Sequence, residues 1–494
     1  MRRPIHAVAM VVLLQWACAE RTPGGATQLS TPTSSSEAKR HKLQLPRLAS
    51  AGRQVYHRPS HLSASADGDA EKEKLTAPTL GLSIAKSTLG AGIFSLSARI
   101  VHGPGMLPAL LISLLVGMLS AWTFYLVGRA AADTDTSDNK SLWSSSVGPS
   151  TAWTFDLFIA MHSLGGVVQF YITMSLLVKY LGAFVAQYLL PAAAPELLRT
   201  TLTAMPHHVA LGFVTIAMMP LCLARSLSAL QGASAIGIAG VLYSVGLMVA
   251  RVVDGAYRSG AHAATATGPV SNVWGMRGWA GLAMFLGSVN TAFLAHLNVP
   301  RFWQELRQPP PTRPADPKSA KLRLFGRVVS GSFVFSISAT IAVMLCGYAI
   351  FGDASEGFLL NNFAVADRPA ALLRLATLLS VAAISPLTFL ALRDVVAPVL
   401  TRGGRLIVPE TGLRIALVLI VHALALTFRD VGFIIAIRGA LLGSLVCFAM
   451  PAIIFLQSAR GQAAPALTRA LHKLLAGYGF SMAALGTAVI LKYG

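Results

Sequence analysis

Charge is what this sequence has least of. Only 12% of its 494 residues are Asp, Glu, Lys or Arg, against about a quarter in a soluble domain. Acidic residues are the scarcer kind, 20 against 40 Lys and Arg. With 54% apolar residues and a mean hydropathy of +0.61, this excludes an ordinary soluble protein and indicates an integral membrane protein. Cysteine is also rare: Cys18, Cys222, Cys346 and Cys447 show neither a disulfide framework nor zinc-ligand spacing. There is no H-E-x-x-H, no P-loop and no cluster of carboxylates inside an apolar segment, which argues against a membrane enzyme and against a metal or other cofactor. No filter-like repeat suggests a channel. The basic excess lies mostly between apolar segments, where it sets topology against the lipid bilayer. It does not point to nucleic acid.

Residues 1–19 read as a possible signal or targeting segment: Arg2-Arg3, an apolar run from Ala7 to Ala17, then Ala17-Cys18-Ala19. That run is too short to span a bilayer. Residues 20–77 form a basic tail rich in Ser and Thr that is expected to be disordered.

From residue 78 the chain carries eleven apolar segments, at 78–101, 104–128, 152–189, 207–224, 227–250, 279–300, 326–351, 369–393, 411–427, 430–457 and 472–492. Each suits the roughly 20 residues of a spanning helix, and they are called segments one to eleven below. The third is too long for one straight crossing and is expected to overshoot or bend near Lys179-Tyr180. Alternate connections are rich in Arg and Lys, among them Arg129, Arg225, the cluster from Arg301 to Arg327, Arg393, Arg402, Arg405, Arg460, Arg469 and Lys473. The positive-inside rule puts these, and the amino terminus, in the cytoplasm. A cleaved secretory signal would place the tail on the other side. Residues 1–19 are therefore either not an ordinary signal or an address for import into an organelle, and the membrane itself stays open between endomembrane, vacuole, organelle envelope and plasma membrane.

Segment one contains Ser87-Thr88-Leu89-Gly90-Ala91-Gly92-Ile93-Phe94-Ser95. Two glycines among hydroxyl residues make a poor helix interior, each costing about 0.5–1 kcal/mol against Ala. Irregular backbone at mid-membrane survives only where protein buries it or a cavity solvates it, so a broken helix and a binding site are expected here. Backbone N–H groups near Gly90, Ala91 and Gly92 would face that site, with Thr88 and Ser95 lining the cavity. In segment six, Ser288-Val289-Asn290-Thr291 is the polar cluster at mid-depth, and Ser288, Asn290 and Thr291 are the expected partner break.

Five stretches in order resemble the amino acid/auxin permease family, which includes the sodium-coupled neutral and the vacuolar amino acid transporters. They are Gly90-Ala91-Gly92-Ile93; Met219-Pro220-Leu221 through Arg225-Ser226-Leu227-Ser228-Ala229-Leu230; Phe293-Leu294-Ala295-His296-Leu297-Asn298 with Glu305-Leu306; Gly347-Tyr348-Ala349-Ile350-Phe351-Gly352; and Pro386 with Leu392-Arg393. The resemblance implies a leucine-transporter-type fold: an all-α membrane protein of eleven transmembrane helices, a 5+5 inverted repeat plus one, with spans one and six broken at mid-membrane. No repeat is visible in the residues themselves.

The resemblance also implies alternating-access transport of an amino acid, with half-helix N-termini facing its carboxylate. An amino-acid sensor signalling through its tail is the alternative. Lys86 departs from the pattern, because sodium-coupled relatives carry at this position an Asn of the cation site. A lysine at mid-membrane costs at least about 2.5–3.5 kcal/mol on insertion scales and should face the bundle interior. It is expected to stand where relatives place sodium, leaving proton-coupled or facilitative transport; Ile384 beside Ser385 in segment eight points the same way. Arg438, well inside segment ten, should be paired or cavity-facing. Tyr171 could gate or pack, as could Phe170. His162, His296 and His422 could relay protons, with only His296 in a family motif. Glu305 is expected to pair with Arg301 or Arg307. The lining favours a small neutral substrate.

Overall fold

The fold is that of a computed structural model, which describes residues 74–224, 233–263, 267–308, 317–402 and 405–493. Several expectations fall outside these residues: the possible signal at 1–19, the tail to residue 73, Arg225 to Leu230 of the second motif, and Arg313. For Ala91, Arg402 and Arg405 only the backbone is described.

Apolar sequence becomes long helices almost without exception, because in hydrocarbon each backbone N–H and C=O has to be satisfied within its own segment. Segments two, three, seven, eight and nine are Met106–Thr134, Trp153–Tyr188, Pro317–Phe351, Arg368–Val399 and Glu410–Thr427. Segment three is one helix of 36 residues, about 54 Å at 1.5 Å per residue. It runs through Lys179-Tyr180 without a break and overshoots the roughly 30 Å hydrocarbon layer. Segment four, His207–Leu223, is preceded by the short helix Glu196–Thr203, which meets it at 95°. Segment five is Ala233–Val253. Segment ten starts as Val431–Arg438, passes through two π-helical stretches at Gly439–Gly443 and Leu445–Ala449, and ends as Met450–Gln457. Segment eleven, Ala466–Tyr493, has one π-helical stretch at Met482–Gly486. Among the described residues nine helices are long and apolar enough to cross a membrane, or ten with the bent pair; Gly237–Val253 is a shorter apolar helix. The chain is an integral, multi-pass membrane protein. Thr401–Arg402 and Arg405–Leu406 form a two-residue antiparallel pair between segments eight and nine.

Close packing of segments six and ten fixes the centre. A Cβ at Gly287 would overlap Ala436 O, and one at Gly439 would overlap Gly287 O and Thr291 Oγ1. Small residues let membrane helices approach to backbone contact, and here they do so next to the second helix break.

Polar contacts gather at the two ends of the bundle. At one end Leu75 N donates to Glu305 O (2.8 Å) and Arg307 N donates to Leu75 O (2.9 Å), so the chain entering segment one pairs in parallel with the chain leaving segment six. At this end too, buried Arg414 donates to the carbonyls of Cys222, Leu223 and Ala224 at 3.0–3.3 Å, closing the C-terminus of segment four, and its other arm reaches Glu410 at 2.6 Å. A cleft of about 640 Å³ between segments eight and nine opens beside the Arg393–Glu410 ion pair. Glu305 pairs with Arg301, as expected, at 2.6 Å.

At the opposite end buried Arg374 donates to the carbonyls of Leu360, Phe363 and Ala364 and stacks on Tyr180. Asp367, fully buried, caps segment eight through Ala370 N. It also accepts two hydrogen bonds from Arg251 (3.0 and 2.7 Å) and one from the Tyr257 hydroxyl (2.9 Å).

Candidate functional site

Segment one breaks where the glycines predict. The helix Ala77–Thr88 stops, Leu89 and Gly90 are non-helical, and the chain resumes as a 3-10 turn, Ala91–Ser95, then as helix Leu96–Val101. The N–H groups that open such a turn have no intrahelical acceptor. Gly90 is exposed, with φ −95°, and a Cβ there would meet nothing within 4 Å. Open space therefore faces the break. A Cβ at Gly92 would lie 3.9 Å from both Ile435 Cγ2 and Thr291 Cγ2, which brings segments six and ten to the same point.

Segment six also breaks, but later than expected. Its first half runs from Trp279 to Ala292, and the irregular residues are Phe293, Leu294 and Ala295, followed by a 3-10 turn, His296–Asn298, and helix Val299–Glu305. Ser288, Asn290 and Thr291 stand in the last turns of the first half-helix. Asn290 meets the Tyr478 hydroxyl of segment eleven at 3.4 Å, away from segment one. Thr291 Oγ1 donates to Ile435 O at 2.7 Å, at the point where Gly92 approaches. The buried Ser288 Oγ has no hydrogen-bond partner.

One further expectation is corrected, and for Tyr171 the geometry favours packing. Thr88 and Ser95 do not present hydroxyls to a cavity: Thr88 donates to Ala85 O and meets Ser336 of segment seven at 2.6 Å, and Ser95 donates to Gly92 O, closing the 3-10 turn. Buried hydroxyls are taken up by the nearest carbonyl. Tyr171 packs; its hydroxyl lies 3.8 Å from Cys222 Sγ in segment four, and the side chain is fully buried.

Lys86 runs sideways from segment one. A Cβ at Gly237 of segment five would sit 3.3 Å from Lys86 Cε and 3.0 Å from Ser380 Oγ of segment eight, so the lysine lies where these three segments meet. On the same segment eight, Ser385 Oγ is buried without a partner, next to Pro386, which removes a helix donor.

His296 Nε2 is 2.9 Å from Thr123 Oγ1 in segment two. The threonine hydroxyl is directed at the carbonyls of Leu119 and Ser120, so the imidazole donates to it, and Nδ1 is buried without a partner. His422 meets Thr215 at 2.8 Å, joining segments four and nine. His162 lies beside Arg438, whose Nη1 donates to Gln169 Oε1. Sequence reasoning missed Gln169 and Thr123 because neither is unusual alone. It also passed over Arg99, whose Nη2 lies 3.8 Å from Asp430 Oδ2, tying the second half of segment one to the start of segment ten. Among the described residues no three His, Cys, Asp or Glu side chains gather into a metal-binding set.

Because Gly90 faces open space without left-handed strain, Gly90→Ala should fold with its thermal midpoint unchanged while reducing uptake of labelled substrate. Parallel melting and flux measurements check this; a destabilised but fully active variant would contradict it.

Two broken helices side by side, packed against continuous ones, are the arrangement expected of a leucine-transporter-type fold. The solved structure described as the inward-facing conformation of Mhp1 is similar in fold, with a TM-score of 0.53 at 12% identity over 85% of this chain and 92% of that one. The sequence pattern of the transmembrane amino acid transporter proteins matches residues 73–492, and the chain belongs to that family. Comparison with curated protein sequences gave no match. The protein is thus a transporter of amino acids and not an enzyme.

Proposed function

We propose that the chain moves an amino acid by alternating access and without sodium, coupled to protons or driven by the substrate's own gradient. Eleven spans, built as a 5+5 inverted repeat plus one with the amino terminus in the cytoplasm, complete this reading. Backbone donors at Gly90, Ala91 and Gly92 take the substrate carboxylate. The carbonyls freed at the end of each first half-helix take its ammonium group. Thr291 holds segment ten against the site, and Arg99 with Asp430 closes one side of it.

The observation that carries the sodium-free reading is the position of Lys86. Its chain crosses from segment one to Gly237 and Ser380, bringing a fixed cation to the seam where segments one, five and eight meet. An ammonium there repels a bound sodium ion at close range. His296, hydrogen-bonded to Thr123 in a buried site, is the group placed to exchange a proton if coupling is to protons.

Purified protein in liposomes, loaded and bathed in choline salts, should take up labelled amino acid at the same rate as in sodium. A strict sodium requirement would overturn the proposal. Lys86→Asn should lower this sodium-free uptake.

A further inference from the structure

Arg438 is a buried cation whose charge nothing in the described bundle answers. The helices around it are the two broken ones and segments three, eight and ten. Their acidic residues and caps are Asp156, Glu305, Asp367, Asp394 and Asp430, all near helix ends, and these pair with Lys140, Arg301, Arg251, Arg393 and Arg99 respectively. Arg438 is 9% exposed. Its partners are neutral: Gln169 Oε1, which accepts from Nη1, and His162 Nδ1, 3.4 Å from Nη2. The buried Nε has no partner at all.

The unanswered edge has a particular shape. Nε and Nη2 form the side-on fork of a guanidinium, the edge that takes both oxygens of a carboxylate. On this edge Nε is unpartnered and Nη2 makes only the long contact to His162. The backbone of Gly165 and Gly166 lies against it, where a Cβ would come within 3.3 Å of Nε and 3.4 Å of Nη2. No side chain of segment three occupies that position. The site is next to the helix breaks, since Ile435, one turn before Arg438, lies over Gly92 and accepts the Thr291 hydrogen bond. A charge at mid-membrane costs at least about 2.5–3.5 kcal/mol on insertion scales, and a bound anion offsets that cost.

We propose that Arg438 binds the side-chain carboxylate of the substrate, so that the transported amino acids are the acidic ones, aspartate and glutamate. This rests on the amino-acid transport proposed above and replaces the small neutral substrate that the lining residues suggest. The α-carboxylate and ammonium groups are held at the breaks, and the second carboxylate reaches the Nε–Nη2 fork. Gly165 and Gly166 let the backbone of segment three pack directly on the arginine, and Gln169 fixes its orientation through Nη1. Cationic amino acids are repelled.

The test is uptake of labelled aspartate, glutamate, alanine and lysine by the full chain in liposomes, with and without chloride, beside thermal melting of the detergent-solubilised protein with each amino acid. Wild type should favour aspartate or glutamate over alanine and exclude lysine, and only the acidic pair should raise its melting temperature. Arg438→Gln should lower the aspartate-to-alanine ratio by about 10- to 100-fold, the worth of a hydrogen bond to a charged group. Arg438→Lys should restore part of that ratio. Wild-type uptake of alanine without aspartate or glutamate overturns the proposal and leaves amino-acid transport standing. Uptake of alanine that requires chloride also overturns it, by assigning Arg438 to a halide. An unchanged ratio in a folded Arg438→Gln does the same. If no amino acid of any class is taken up, the transport reading itself fails. The melting shifts of the wild type decide the matter if Arg438→Gln does not fold.

Discussion

Asp367→Ala is expected to destabilise the protein by about 3–5 kcal/mol, the usual result of leaving a buried partner charge alone. The carboxylate is fully buried and serves Arg251, Tyr257 and the first turn of segment eight together. Removing it strands a guanidinium that is only 15% exposed and uncaps a long helix. The measurement is thermal unfolding in detergent, with Asp254→Ala as the control. Asp254 meets the same arginine at 2.7 Å but is 41% exposed, and exposed pairs contribute about 0–1 kcal/mol. Equal losses from the two variants would contradict the assignment. Tyr257, in the connection after segment five, adds a pH signature. Burial first, then the neighbouring Asp367 carboxylate, pushes its hydroxyl above the ordinary value of 10.0. The folded state therefore keeps the proton over a range in which the unfolded chain has lost it. Stability from this group is present below pH 10 and declines above it; Tyr257→Phe should flatten the decline.

Gly439→Leu is expected to abolish uptake and to destabilise by about 1–3 kcal/mol or more, the range for overpacking. Even a methyl at this position would overlap the Gly287 carbonyl and the Thr291 hydroxyl. Segments six and ten would have to separate where Thr291 bonds to Ile435 and Gly92 packs on both. Gly477→Leu in segment eleven is the control, because a Cβ there meets nothing within 4 Å. A Gly439→Leu protein with wild-type flux and melting would contradict the close contact.

How much of this could be read in the residues divides along physical lines. The apolar segments and the break at Gly90 were legible because hydrophobic length and a glycine pair inside a helix are local properties. The second break was misplaced for a reason equally local. Polar residues point to Ser288–Thr291, yet Asn290 and Thr291 remain helical and send their side chains to Tyr478 and Ile435, while the chain opens at Phe293 to Ala295. Thr88 and Ser95 misled in the same way, since a hydroxyl facing a cavity and one bonded to the preceding turn look identical in sequence. Lys86 could be singled out as costly, but not the Gly237 that makes room for it. The pairing of Arg438 with Gln169 joins residues far apart in the chain, and only the packing of segment three against segment ten brings them together.

The parallel pairing of Leu75 with Glu305 and Arg307 has a mechanical consequence. Two backbone hydrogen bonds splice the free ends of both broken helices into one member. The first half of segment one and the second half of segment six are therefore tied to each other through the backbone, at about 0.5–1.5 kcal/mol per bond. A force applied at Lys74 would therefore load both half-helices, up to the strength of those two bonds.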